Sequence, residues 1–344
     1  MLPARWLALW AALRVIFPSM SLTVWSNHQL RPAAAELFRS QLAQLGCRLV
    51  QSEKSSASVL AAGSSDPALA EADIAYGQPD PGDVMKNPRL KWVALSTAGY
   101  TRYDRDDFRT AMKQRGTLVT NASTVFADPC AQQMLAGMLG LVRNLPVQLR
   151  NQDGPRGWPY LEDRYTATVL TGATVLLLGF GAIGQRLAEL LAPFGGRVIA
   201  YRRTPRGDEG VETVTDAGLV AALAAADHVV NILPDSPVTR GFMGPERFAR
   251  MKPGARFYNV GRGTTVDQPA LMAALESGHL SGAYLDVMEP EPLPPQHPLW
   301  RTKNCFLTCH IAGGTSDQDD KLIRHFLTNF GRFAKGEGLS DRII

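Results

Sequence analysis

The sequence predicts an α/β fold of two domains, each a parallel sheet covered by helices. Three observations carry this reading. The chain has 344 residues, enough for two cores rather than one. From Ser21 onward, short apolar runs alternate with helical patterns, as strand–helix units of parallel sheets do. The alternation is interrupted between Gln148 and Arg164 by a stretch rich in Gly, Pro and polar residues (NQDGPRGWPY), which reads as an inter-domain connection. The expected boundaries are therefore 1–20 as an N-terminal extension, 21–145 as a first domain completed by the C-terminal helix 316–344, 146–168 as the connection, and 169–312 as the second domain.

In the first domain, strands are expected at Ser21–Trp25, Cys47–Gln51, Asp73–Tyr76, Leu90–Ser96 and Leu118–Asn121. Leu90–Ser96 is almost continuously apolar, as a strand buried on both faces requires. Helical patterns cover Ala33–Leu45, Asp104–Arg115 and Asp128–Leu145, the last with an Asp-Pro start. After the connection, strands are expected at Thr174–Gly179, Arg197–Arg202, Asp227–Leu233, Ala255–Val260, Gly282–Val287 and Cys305–His310. Helices are expected at Ala182–Pro193, Leu219–Ala225, Pro245–Met251 and Gln268–Glu276, and a closing one runs from Ser316 to Lys335. No short-period repeat is present.

Composition excludes several classes of function. Hydrophobic residues make up 45% and charged residues 20%, as in ordinary globular proteins. The net charge of +4 comes from 36 basic and 32 acidic residues mixed along the chain, with no run of five like charges, so no nucleic-acid partner is expected. The apolar stretch Trp6–Leu13 is broken by Arg14, is too short to span a bilayer, and lacks a clean cleavage site after it. It reads as a loose extension, which leaves no membrane partner and a cytoplasmic location as the expectation. Cys47, Cys130, Cys305 and Cys309 form no Cys-x-x-Cys pair and read as reduced, buried thiols. No His/Cys/Asp cluster has metal-ligand spacing, so no metal is expected.

The segment TVLLLGFGAIG holds Gly179, Gly181, Ala182, Ile183 and Gly184 in a G-x-G-x-x-G pattern. The pattern alone is weak evidence, but here it follows an apolar strand and opens a helix, the context of a Rossmann-like dinucleotide site. Gly179 permits the tight turn, Gly181 lets the backbone approach a pyrophosphate, and Gly184 lets helix and strand pack closely. The helix N-terminus then offers free N–H groups to the phosphates. Where NAD-preferring sites place Asp or Glu at the end of the next strand, this chain places Arg202 followed by Arg203. A guanidinium holds a 2′-phosphate through paired hydrogen bonds, so NADP is the expected cofactor, with NAD as the alternative.

Three further segments follow in order: NVGRG with Arg262, LDVMEPEP with Glu291, and HIAGGT with His310. Each lies at the end of a predicted parallel strand, where such sheets bind ligands. Together with LKWVALSTAGY and ILPDSPVT, they resemble the D-isomer-specific 2-hydroxyacid dehydrogenase family over nearly the whole chain from about residue 21. The resemblance implies two Rossmann-like domains, a flavodoxin-like substrate domain and a dinucleotide-binding domain, separated by a cleft. It implies Arg262, Glu291 and His310 as the catalytic set, with Glu291 chosen over Glu289 because the family carboxylate directly precedes the motif proline, here Pro292. It places Asp286 at the nicotinamide carboxamide, with Leu233, Pro234, Val260, Gly261 and Gly313 also along the cofactor. It puts the substrate carboxylate on the backbone amides of Ala98, Gly99 and Tyr100, and it implies a homodimer.

The chemistry fits these residue types. Reducing a ketone puts negative charge on its oxygen, and a histidine is suited to supply the proton near neutral pH. A neighbouring carboxylate favours the imidazolium and fixes the ring. An arginine clamps a carboxylate with a geometry that lysine fits poorly. A lone His or Arg at a strand end is usually structural; all three in family order reverse that expectation. The chain departs from the family at Gln132, Cys309 and Tyr100, where many members carry Glu, Pro and a smaller apolar residue. The leading reading is an NADP(H)-preferring 2-keto acid reductase of glyoxylate/hydroxypyruvate type. The alternatives are an NAD-linked relative acting on phosphoglycerate or D-lactate and, ranked lower, a dinucleotide-sensing corepressor scaffold.

Overall fold

The computed structural model describes residues 22–56 and 63–344. The expected N-terminal extension lies outside the described residues. The chain divides into two compact units, the first formed by the residues before Phe126 and after Gly314, the second by Phe126–Gly314.

The first unit holds a five-stranded parallel sheet of β1 (Thr23–His28), β2 (Arg48–Ser56), β3 (Ile74–Gly77), β4 (Trp92–Leu95) and β5 (Leu118–Thr120), in the order β2-β1-β3-β4-β5. This is the flavodoxin-like order that the resemblance implies. α1 (Pro32–Gln44) and the closing helix pack on one face, where Phe38, Tyr76, Trp92 and Phe326 form an aromatic core. The short α2 (Pro81–Lys86) and α3 (Asp106–Arg115) contribute Val84, Phe108 and Met112 to the core of the other face. With helices on both faces, near-continuous apolar strands such as Trp92–Leu95 are the expected solution.

The second unit begins within α4 (Ser123–Val142). The sequence expectation that this helix belongs to the first domain does not match its contacts. Its Gly137 faces Tyr284, where a Cβ would stand 2.9 Å from the ring, and Gln133 Nε2 donates to the Tyr284 hydroxyl at 2.5 Å. Nor does the helix start at the Asp-Pro pair; Pro129 sits inside it, six residues after Ser123. The expected irregular connection holds two helices, α5 (Leu145–Asp153) and α6 (Tyr160–Thr166). Neither has a buried residue, which is why no apolar period announced them.

The second sheet has seven parallel strands: β6 (Thr174–Leu178), β7 (Arg197–Tyr201), β8 (Glu212–Val214), β9 (His228–Asn231), β10 (Arg256–Asn259), β11 (Gly282–Leu285) and β12 (Cys305–Leu307). Their order is β12-β11-β10-β9-β6-β7-β8, so the winding reverses between β6 and β9, the switch point where such sheets bind ligands. Helices α7 (Ala182–Leu191), α8 (Asp216–Ala225), α9 (Pro245–Arg250) and α10 (Gln268–Glu276) complete this unit, and α11 (Gln318–Ala334) returns the chain to the first. α8, α9 and α10 cover the face formed by Leu176, Ile199, Val229, Phe257 and Ala283. The three-residue β8 has no buried residue and was not expected from the sequence. Strand β12 stops at Leu307, three residues short of the expected His310. Cys130 and Cys305 are buried thiols as expected, but Cys47 is only half-buried and Cys309 is exposed. Among the described residues, no helix is long and apolar enough to cross a membrane.

His228 starts β9 at 1% exposure, its Nδ1 3.0 Å from the Tyr258 hydroxyl. Burial, helped by the Arg256 charge and opposed by Asp227, lowers its pKa from 6.5 to about 4. The folded state thus binds fewer protons here than the unfolded state between these values, and stability rises with pH across that window. The stabilising contribution should be complete above pH 6.5 and vanish on acidification towards pH 4, a change of roughly 3 kcal/mol. Urea unfolding of wild type and His228→Gln at pH 7 and pH 4.5 reads the difference, and a gap that stays constant with pH would refute it.

Candidate active site

The glycine segment opens at the switch point. Gly179 turns the chain after β6 with φ +96°, a region that side chains rarely adopt. A Cβ on Gly184 would stand 2.8 Å from the Gly179 carbonyl oxygen, so α7 leans directly on the turn. Gly181 caps α7 without a side-chain hydrogen bond, and the space where its Cβ would point is open. Ala182 and Ile183 form the first turn, whose N–H groups face outward from the helix end. The tight turn at Gly179 and the close packing at Gly184 match the expectation from their spacing, and the space at Gly181 is open.

Arg202 follows β7, next to this turn, since Gly179 N–H donates to the Tyr201 carbonyl at 3.2 Å. Its side chain is 17% exposed, and among the described residues its buried Nη1 makes no hydrogen bond. Arg203 points into solvent. An open cradle at Gly181 and a buried guanidinium nitrogen that is ion-paired to Glu209 at 3.4 Å without a hydrogen bond both fit a dinucleotide.

The turns after β9 and β10 are pressed together. A Cβ on Gly261 would stand 2.5 Å from the Leu233 carbonyl oxygen, and Val260 and Gly261 both donate to the Asn231 carbonyl, at 3.0 and 3.1 Å. Leu233 and Val260 are buried here, and Pro234 is exposed. Two asparagines that the sequence reading passed over hold this corner. Asn231 and Asn259 end adjacent strands in register, and Asn231 Nδ2 donates to Asn259 Oδ1 at 2.9 Å. Asn259 Nδ2 donates in turn to the Arg262 carbonyl at 3.1 Å. The repeated strand endings HVVN and RFYN were the signal for them.

Arg262 is half-buried, and its Nη1 donates to the Gly261 carbonyl at 2.7 Å. The next residue, Gly263, lies so close to the turn after β11 that a Cβ would fall 1.9 Å from the Met288 carbonyl oxygen. That approach brings the Arg262 turn against the segment ending in Glu291. Glu291 Oε1 accepts from the Met288 N–H at 2.9 Å, and Oε2 meets His310 Nδ1 at 2.7 Å. Burial on its own would raise the Glu291 pKa. The hydrogen bonds from His310 and Met288 and the charges of His310 and Arg262 outweigh it and hold the carboxyl below its ordinary value. Burial lowers the Arg262 pKa against the pull of Glu291 and Asp235. The three predicted groups therefore share one electrostatic neighbourhood.

His310 sits in left-handed backbone at φ +53°, past the end of β12. Asp286, 1% exposed, fastens this loop. Its carbonyl accepts the His310 N–H at 2.8 Å. Its Oδ1 accepts from Thr308 Oγ1 at 2.7 Å and from the Ile311 N–H at 3.0 Å, and its Oδ2 accepts from the Ala312 N–H at 3.0 Å. Gly313 follows against Phe126, where a Cβ would come within 2.9 Å of the ring. Holding this loop was not in the sequence reading of Asp286. Ala98, Gly99 and Tyr100 belong to the first unit, after β4, and are not among the groups that the second unit assembles. Tyr100 packs against a core of its own unit.

Residues 135–312 match the family described as D-isomer specific 2-hydroxyacid dehydrogenase, NAD binding domain. The chain belongs to this family. It is an NAD(P)-dependent D-2-hydroxyacid dehydrogenase acting on CH–OH donors. It is similar to a glyoxylate reductase/hydroxypyruvate reductase of Mus musculus, with 36% identity over 67% of this chain and 71% of the relative. It is also similar to a D-3-phosphoglycerate dehydrogenase of Mycobacterium tuberculosis, with 33% identity over 74% of this chain but only 47% of the relative. Among solved structures, a D-isomer specific 2-hydroxyacid dehydrogenase of Xanthobacter autotrophicus Py2, in complex with NADPH and MES, superposes with a TM-score of 0.77 at 30% identity, over 95% of this chain and 98% of that one.

Asp286→Ala removes the acceptor for two backbone N–H groups and a hydroxyl of the His310 loop. The expected cost is roughly 3 kcal/mol of unfolding free energy. Denaturant titration measures it, and an unshifted midpoint would show that the loop is held by something else.

Proposed function

We propose that this dehydrogenase reduces a small 2-keto acid of the glyoxylate/hydroxypyruvate kind to its D-2-hydroxy acid and prefers NADP(H). The observation that carries the reading is the 2.7 Å contact of Glu291 Oε2 with His310 Nδ1, in the electrostatic reach of Arg262. With Nδ1 engaged by the carboxylate, Nε2 is the ring nitrogen left to face a substrate oxygen. A bound nicotinamide supplies the hydride. As charge grows on the carbonyl oxygen, His310 gives it the Nε2 proton, and Glu291 stabilises the imidazolium beforehand and fixes the ring. Arg262 binds the substrate carboxylate and polarises the carbonyl. In the oxidative direction the same nitrogen takes the proton back.

Cofactor preference is assigned from Arg202, whose buried Nη1 makes no hydrogen bond among the described residues and has only the ion pair with Glu209 at 3.4 Å. The reductases of the same name among the relatives support the substrate class. A homodimer is the proposed assembly. Leu145, Leu149, Trp158, Leu161 and Tyr165 are all exposed within one short stretch, and a second copy of the chain would cover them.

The test is a panel of 2-keto acids, including glyoxylate, hydroxypyruvate, pyruvate and 3-phosphohydroxypyruvate, run with NADPH and with NADH. Glyoxylate or hydroxypyruvate with NADPH should give the highest kcat/KM; faster turnover of the phosphorylated acid with NADH would replace this reading by the phosphoglycerate one. His310→Ala should lower kcat by about 10³-fold or more with little change in dinucleotide affinity. Wild-type turnover by that variant would remove the imidazole from the reaction.

A further inference from the structure

The loop between β7 and β8 carries a carboxylate already held as a bound anion would be. Glu209 Oε1 accepts from the Arg206 N–H at 2.6 Å, and Oε2 accepts from the Gly207 N–H at 2.9 Å. Oε1 also lies 3.4 Å from Arg202 Nη1, and the Glu209 side chain is only 3% exposed. Two backbone amides and a guanidinium around one oxyanion make a donor set that suits phosphate as well as carboxylate. The carboxylate does not saturate it. The Arg202–Glu209 contact is an ion pair without a hydrogen bond, so the buried Nη1 keeps an unused proton.

We propose that Glu209 is an internal stand-in for the adenosine 2′-phosphate, and that its carboxylate must leave before NADP(H) can be held by Arg202. This rests on the reading that Arg202 receives the ribose end of the cofactor. A carboxylate and a phosphate cannot share these donors, because like charges at hydrogen-bond distance repel strongly in a half-buried site. A phosphate has a third oxygen for the unused Nη1 proton, and that drives the exchange. A ribose 2′-hydroxyl meets no such competition, since a carboxylate accepts a hydrogen bond from it. Glu209 therefore sets how far the preference conferred by Arg202 extends: it weakens NADP(H) binding and leaves NAD(H) binding in place.

The test measures binding without turnover. Titration calorimetry of the full chain compares 2′,5′-ADP, which carries the phosphate, with 5′-AMP, which lacks it. Wild type, Glu209→Gln, Glu209→Ala and Arg202→Ala are each measured. Both Glu209 variants should bind 2′,5′-ADP about tenfold tighter than wild type, with 5′-AMP affinity within about twofold, while Arg202→Ala weakens 2′,5′-ADP about tenfold. If Arg202→Ala weakens 2′,5′-ADP but neither Glu209 variant tightens it, the stand-in is refuted and the cofactor reading survives. Weaker binding in the Glu209 variants also refutes it, and would make the carboxylate a support for Arg202 instead. An unchanged ratio of the two ligands in Arg202→Ala would end both readings together.

Discussion

The geometry of the site depends on how closely two turns approach each other. At Gly263 the chain after β10 runs against the Met288 carbonyl after β11, with no room for a Cβ. Parallel strands lie about 4.8 Å apart. Here the turns after two neighbouring strands meet, so the Arg262 guanidinium and the His310 imidazole both act on the Glu291 carboxylate. A corresponding contact at Gly261 brings the turn after β9 into the group. Close backbone packing at strand ends, more than any single hydrogen bond, turns three distant segments into one site.

That packing explains what was legible in the sequence. The strand–helix alternation, the glycine turn and the three motif segments all reflect local requirements, and the structure contains each of them close to its expected place. Helix α10 matches its expected bounds, because Asp267 caps it and a proline opens it. What stayed hidden lacks a local signal. The two helices between 145 and 166 bury no side chain, so their sequence carries no periodic stripe. Strand β8 is short and lies at the sheet edge. α4 reads as part of the first unit until its glycine is seen against Tyr284, a contact between residues far apart in the chain.

The same division holds within the site. Arg262, Glu291 and His310 were readable because each sits in a distinctive motif. The groups that aim them were not. Asn231, Asn259 and the loop-holding carboxylate of Asp286 act through bonds to backbone atoms, and sequence does not reveal which carbonyl a buried amide will find. Tyr284 is of this kind too: its hydroxyl accepts from Gln133 of α4 and lies 3.0 Å from the Thr308 hydroxyl that donates to Asp286.

The left-handed backbone at His310 has a cost that its surroundings absorb. A non-glycine residue held there loses on the order of 1 kcal/mol that glycine would not. A selection for thermostability alone, blind to turnover, would drift towards glycine or asparagine at this position and discard the imidazole. In the proposed mechanism, ruggedness and reactivity therefore pull in opposite directions at this one residue.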